Sequence, residues 1–119
     1  MTRRAAVPSL ASGFWPLAFG LLLSSAPAAP LHAQWIPQQS NTTASLRGLS
    51  VVSSRVAWAS GTAGTVIHTV DGGATWTVDS VPGASKFDLR AIVAFDANTA
   101  VVVATAGRIW RTENSGKSW

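Results

Sequence analysis

The chain has 119 residues, room for one small domain, and its hydrophobic fraction of 47% stands against only 12% charged residues, where an ordinary soluble domain carries about 25%. That deficit is local, because no Asp, Glu, Lys or Arg lies between Arg4 and Arg47. The net charge of +4 is scattered without a basic run, which argues against nucleic-acid binding, and the absence of Cys excludes disulfides, thiolate metal sites, Cys nucleophiles and Cys-linked lipid anchors.

Residues 1–33 read as an export signal. Arg3 and Arg4 give a positive start, Phe14 to Leu23 form an apolar core, and a small-residue stretch from Ser24 to Ala33 follows. This three-part order is that of a cleaved secretory signal. Cleavage after Ala33 fits the order Leu31-His32-Ala33, with Ala28 as the alternative. An uncleaved anchor would need about 20 apolar residues, and Pro8 and Pro16 flank a shorter core. The expectation is an exported protein, periplasmic or extracellular, with no stable membrane anchor after cleavage.

Residues 34–45 read as a closing strand at Trp35–Gln38 and a linker. Gln34-Trp35-Ile36-Pro37-Gln38 resembles the later Trp76-Thr77-Val78-Asp79. From Leu46 onward the chain repeats itself with a period of 43 residues and no gap. Leu46-Arg47 recurs as Leu89-Arg90, Thr62-Ala63-Gly64 as Thr105-Ala106-Gly107, and Trp76 as Trp119. A period near 40–50 residues suggests propeller blades or a helical array. Abundant Val, Ile, Thr and Trp with turn signals every eight to twelve residues selects the all-β reading.

The first unit, residues 46–88, predicts strands at Leu46–Val52, Val56–Ser60, Thr65–Thr69 and Thr75–Asp79, then a connecting loop. The second, residues 89–119, predicts Leu89–Phe95, Thr99–Val103 and Arg108–Thr112, and stops as its fourth strand would begin. The fold class expected is therefore an all-β propeller with four-stranded blades, present as an incomplete fragment of about two blades.

Each unit closes its third turn with the same spacing: Thr69-x-Asp71-x-Gly73-x-Thr75-Trp76 and Thr112-x-Asn114-x-Gly116-x-Ser118-Trp119. An Asp or Asn at the turn start can accept backbone N–H bonds within its own loop. A Gly takes the conformation that a Cβ penalises. The Trp offers a large apolar surface to a neighbouring blade. This pattern is the Asp-box, a structural staple.

The boxes TVDGGATW and TENSGKSW, with LRGLSVV and LRAIVAF a fixed distance upstream, resemble those of the photosystem II assembly and stability factor-like propeller family, within the wider Asp-box (BNR) group that includes sialidases and sortilin-type receptors. The resemblance spans residues 34–119. It implies a secreted or lumenal propeller that binds a protein partner. Relatives in non-photosynthetic bacteria carry the domain, so the resemblance implies an assembly scaffold rather than a photosynthetic role.

Catalytic chemistry is sparse. The acids are Asp71, Asp79, Asp88, Asp96 and Glu113, with no pair spaced for general acid/base work. By the pattern of the wider group, a sialidase site would want a Tyr nucleophile and several Arg; the chain has no Tyr. The expectation is no catalytic, cofactor or metal residue. The alternative is the N-terminal part of a sialidase-like glycoside hydrolase with its catalytic residues elsewhere. His68 occupies the place of Arg111 in the repeat and is expected to be an exposed polar residue. Trp58 and Trp110 are expected between blades. Arg47 and Arg90 begin equivalent strands, and a ring of such arginines would suit acidic peptide segments; they are the candidate partner-binding residues.

Overall fold

Seven short strands make two antiparallel sheets in this computed structural model, which describes residues 33–119. The export-signal reading of residues 1–32 lies outside the described residues. The first sheet contains β1 (Leu46–Val51), β2 (Ala57–Gly61), β3 (Thr65–Thr69) and β4 (Thr77–Ser80), in the order β1-β2-β3-β4. The second contains β5 (Leu89–Ala94), β6 (Ala100–Ala104) and β7 (Ile109–Thr112), in the order β5-β6-β7. Each sheet is a simple meander, as expected of propeller blades. No helix among the described residues is long and apolar enough to cross a membrane.

Strand positions follow the expected ones to within two residues. The largest shift is at β4, which starts at Thr77 rather than Thr75. Thr75 is held inside the preceding turn by bonds to Asp71, so Trp76 ends the box instead of opening the strand. Trp35–Gln38 forms no strand pairing among the described residues. The segment is instead tied to the first box: Trp76 Nε1 donates to Gln38 Oε1 at 2.9 Å, and Asn41 Nδ2 donates to the Trp76 carbonyl at 2.9 Å.

The β2–β3 and β6–β7 hairpins turn through Thr-Ala-Gly with two successive left-handed residues, Ala63 (φ 55°) and Gly64 (φ 66°), then Ala106 (φ 64°) and Gly107 (φ 68°). This backbone suits the twist of a two-residue hairpin, and Asn-Gly is its usual sequence. Ala in the first place carries a Cβ penalty that the hairpin geometry imposes. Gly64 is also confined by packing: a Cβ there would stand 2.7 Å from the Ala84 backbone. The loop from Val81 to Asp88 wraps this turn, with Val81 N–H donating to Gly64 O and Gly64 N–H to Phe87 O.

The core lies in the seam between the sheets. Trp58 and Val66 of the first sheet pack with Leu89, Ile92, Ala100, Val102 and Ala104 of the second. Polar bonds fix the seam as well. Ser60 Oγ donates to Leu89 O at 3.1 Å, Ala94 N–H donates to Ser50 Oγ at 3.0 Å, and Trp58 Nε1 donates to Asp96 O at 3.1 Å. Gly48 permits this close approach, since a Cβ on it would lie 2.5 Å from Ser60 Oγ and 3.1 Å from the Ile92 nitrogen.

Candidate functional site

Both boxes fold through the same bonds. In the first, the Thr69 hydroxyl donates to Asp71 Oδ1 at 2.8 Å and accepts the Gly73 N–H at 2.9 Å. Asp71 then accepts from Thr75 twice, from its N–H at 2.9 Å and from its hydroxyl. In the second, the Thr112 hydroxyl donates to Asn114 Oδ1 at 3.1 Å and accepts the Gly116 N–H at 2.9 Å. Asn114 accepts the Ser118 N–H at 2.9 Å and donates through Nδ2 to Ser118 Oγ at 2.8 Å. The amide thus replaces the carboxylate by reversing the direction of one bond.

The replacement changes the electrostatics. The Thr75 hydroxyl, the Thr75 N–H and the Thr69 hydroxyl all stabilise ionised Asp71, and lower its pKa from 3.8 to about 2. Asp96 is also lowered, by the N–H groups of Asn98 and Thr99 in its own turn. Both aspartates therefore hold turns closed, and neither faces a partner suited to acid/base chemistry.

The box tryptophans have different surroundings. Trp119 meets Trp58 edge-on at 6.5 Å across the seam, whereas Trp76 meets the Gln38 side chain. Trp110 is half-buried against Phe87, with ring centroids 6.2 Å apart.

His68 departs from expectation. It is buried, 8% exposed, and stacks on Trp58 with ring centroids 4.5 Å apart. Its repeat counterpart Arg111 is exposed because the corresponding face of the second sheet is not covered among the described residues. His68 Nδ1 lies 3.2 Å from Asp79 Oδ2, with the two atoms misaligned for a hydrogen bond. The sequence offered no signal for this pair, since the repeat places Arg opposite His and nothing opposite Asp79.

Arg47 and Arg90 are brought together. Each is the extra residue of a β-bulge: β1 pairs Leu46 with Gly61 and then Gly48 with Ser60, while β5 pairs Leu89 with Ala104 and then Ala91 with Val103. A bulge re-aims its side chain relative to the regular pleat. Both guanidinium groups converge on one carboxylate. Asp88 Oδ2 lies 3.5 Å from Arg47 Nε and 4.0 Å from Arg90 Nη2. The three side chains are solvent-accessible, 42%, 61% and 33% exposed for Arg47, Arg90 and Asp88. Two cations around one anion leave a net positive, exposed cluster at the start of adjacent inner strands. Asp88 was not singled out from sequence as part of this group. Its counterpart in the first repeat is Ser45, so the repeat hid it.

Among the described residues, no group of three or more His, Cys, Asp or Glu side chains is placed to hold a metal ion.

A family model described as "Photosynthesis system II assembly factor YCF48" matches residues 33–119. No curated protein matches the chain. Among solved structures, one described as "YCF48 bound to D1 peptide" is similar at 22% identity and a TM-score of 0.41, with 68% of this chain and 41% of that chain covered. The chain thus spans less than half the length of that relative.

Proposed function

This chain belongs to the photosynthesis system II assembly factor YCF48 family, and from that premise we propose that it is an exported protein-binding scaffold that contacts its partner through Arg47 and Arg90. The observation that carries the proposal is the placement of both arginines on equivalent bulges around Asp88. An exposed ion pair of this kind is worth only about 0–1 kcal/mol to the fold, so stability gives little reason to build it twice. A guanidinium pair with one excess charge is suited to capture a carboxylate, by two-pronged hydrogen bonds. The partner class that fits is a protein segment with acidic side chains or a free C-terminus. The charge and apolar pattern of residues 1–33, read as an export signal, supports a periplasmic or extracellular setting for this binding. The family description as an assembly factor supports a non-catalytic role.

The test is affinity capture of partner protein from an extract, with thermal melting followed on the same proteins. Arg47→Ala/Arg90→Ala is expected to lose capture at an unchanged melting temperature. Arg47→Lys/Arg90→Lys should recover only part of it, because Lys keeps the charge without the fork. Capture should weaken with added salt, since exposed charges are screened over about 8–10 Å at physiological ionic strength. Full capture by a stable double Ala variant would remove these residues from the site.

A further inference from the structure

In each blade the Asx of the box is followed by a small residue, Asp71 by Gly72 and Asn114 by Ser115. Gly has no Cβ, so the Gly72 nitrogen can approach Asp71 Cγ freely once the turn opens. When the carboxyl is protonated, that nitrogen bonds to Cγ, and the amide hydrogen leaves with the carboxyl OH as water. The product is a cyclic succinimide. Water then adds to either imide carbonyl and breaks its bond to nitrogen. One cut restores aspartate, and the other leaves the chain running through the side chain as isoaspartate. At Asn114, attack by the Ser115 nitrogen expels ammonia instead, and the Ser115 side chain hinders the approach. Neither reaction needs an oxidant, a reductant or a co-substrate other than water.

The fold withholds both nitrogens by the same device. Gly72 N–H donates to Arg55 O at 2.9 Å, and Ser115 N–H donates to Asn98 O at 2.9 Å. Gly72 and Ser115 are repeat counterparts, and so are Arg55 and Asn98, although neither pair shares a residue type. Each acceptor lies in the turn that joins the first two strands of its own blade. That turn is tied in its own right. Ser53 Oγ accepts the N–H of Arg55 at 3.2 Å and of Val56 at 3.1 Å. Its repeat counterpart Asp96 accepts the N–H of Asn98 and of Thr99 through Oδ1, both at 2.7 Å. The side chain is held as well. Thr69 and Thr75 fix the Asp71 carboxylate and keep it ionised, which removes the protonated form that reacts.

We propose that Asp71 is a latent isoaspartate site and Asn114 a slower one, each kept unreactive by the docking of the next N–H onto the strand-joining turn of its own blade. The chemistry runs only from the open turn. Its rate therefore follows the equilibrium population of that open form, provided opening and closing are faster than the reaction. Such local openings carry their own free energy, separate from that of global unfolding. Conversion is one-way for the box. An isoaspartate adds a carbon to the backbone between Thr69 and Thr75 and takes away the side chain that accepts from both. The first box then stays open, and the anchor that sets Trp76 at the end of the turn is lost.

The test ages the full chain in mildly acidic heavy-oxygen water, folded and in denaturant, followed by digestion in ordinary water. Passage through a succinimide leaves a heavy oxygen in the product, read by mass, and isoaspartyl peptides separate from aspartyl ones by chromatography. The expected result is labelling at Asp71 in denaturant, about tenfold or more slower in the folded chain. Crossed variants then address the turns. Ser53→Ala should raise the folded rate at Asp71 by about two- to tenfold, the loss of a hydrogen bond in the turn, and leave Asn114 unchanged. Asp96→Ala should do the reverse. Equal rates in folded and denatured chain, or no reaction at Asp71 in denaturant, would overturn the proposal. So would either variant raising both sites alike, since that marks general loosening. Should a variant fail to fold by circular dichroism, hydrogen exchange at Gly72 and Ser115 in the unaltered chain decides. Slow exchange at both is expected, and exchange at the rate of a free amide would overturn the proposal.

Discussion

The two Asp-boxes share a backbone and differ in chemistry. One is closed by the carboxylate of Asp71, the other by the amide of Asn114, yet each turn accepts its Thr or Ser N–H at 2.9 Å. One places Gly72 in the left-handed region, the other places Ser115 there at φ 60°. Ser115 recovers part of that cost by donating its N–H to Asn98 O and its hydroxyl to Asn98 Oδ1. The box geometry is thus set by local hydrogen bonding. What lies next to it, the seam with Trp58 at Trp119 and the Gln38 side chain at Trp76, decides how much packing its Trp contributes.

The largest effect should come from the seam that distinguishes the blades. Trp58→Ala removes a fully buried ring that stacks on His68 and donates to Asp96 O. It is expected to cost about 3–5 kcal/mol. Its counterpart Val101→Ala, on the half-open face of the second sheet, should cost well under half as much. Chemical denaturation of both variants checks this, and equal losses would show that the two faces are equally packed.

Gly48→Ala comes next, at about 1–3 kcal/mol of overpacking, because its Cβ would press Ser60 Oγ and the β5 backbone. The second repeat already carries Ala91 in that place, so Ala91→Gly should change stability little. A tolerated Gly48→Ala would mean that the sheets stand further apart than described.

The smallest effect should be the same in both blades and of opposite sign. Ala63→Asn and Ala106→Asn put the preferred residue into left-handed hairpin positions. Each should raise stability by about 0.4–1 kcal/mol, read from the unfolding midpoint. A loss at either would indicate that the Ala side chain packs where the hairpin alone does not require it.

The strands, their order and both boxes were legible in the sequence, because an ungapped repeat tests each residue assignment twice. Leu46-Arg47 and Leu89-Arg90 marked the inner strands, and the Thr-Asx-Gly spacing marked the turns. Features that break the repeat were illegible. His68 is buried while Arg111 is exposed, since one lies in the seam and the other does not. Asp88 stands where the first repeat has Ser45, so nothing linked it to the two arginines. The bulges at Arg47 and Arg90 depend on how β1 and β5 pair, which side-chain alternation alone does not reveal. The left-handed Ala63 and Ala106 carry no sequence signal, as Asn or Gly would.

One backbone design is closed by a charge in the first blade and by a neutral amide in the second. Hydrogen bonds to ionised Asp71 hold its pKa near 2, below the 3.8 of a free carboxylate. Its contribution to stability is therefore complete above about pH 4 and is lost as pH falls toward 2. The most direct measurement is the amide proton shift of Thr75 and of Ser118 followed by NMR through this acid range. Thr75, which donates to Asp71, should move with a midpoint near 2. Ser118, which donates to Asn114, should stay flat until the protein unfolds. A Thr75 midpoint at the free-carboxylate value, or parallel titration of both amides, would contradict it.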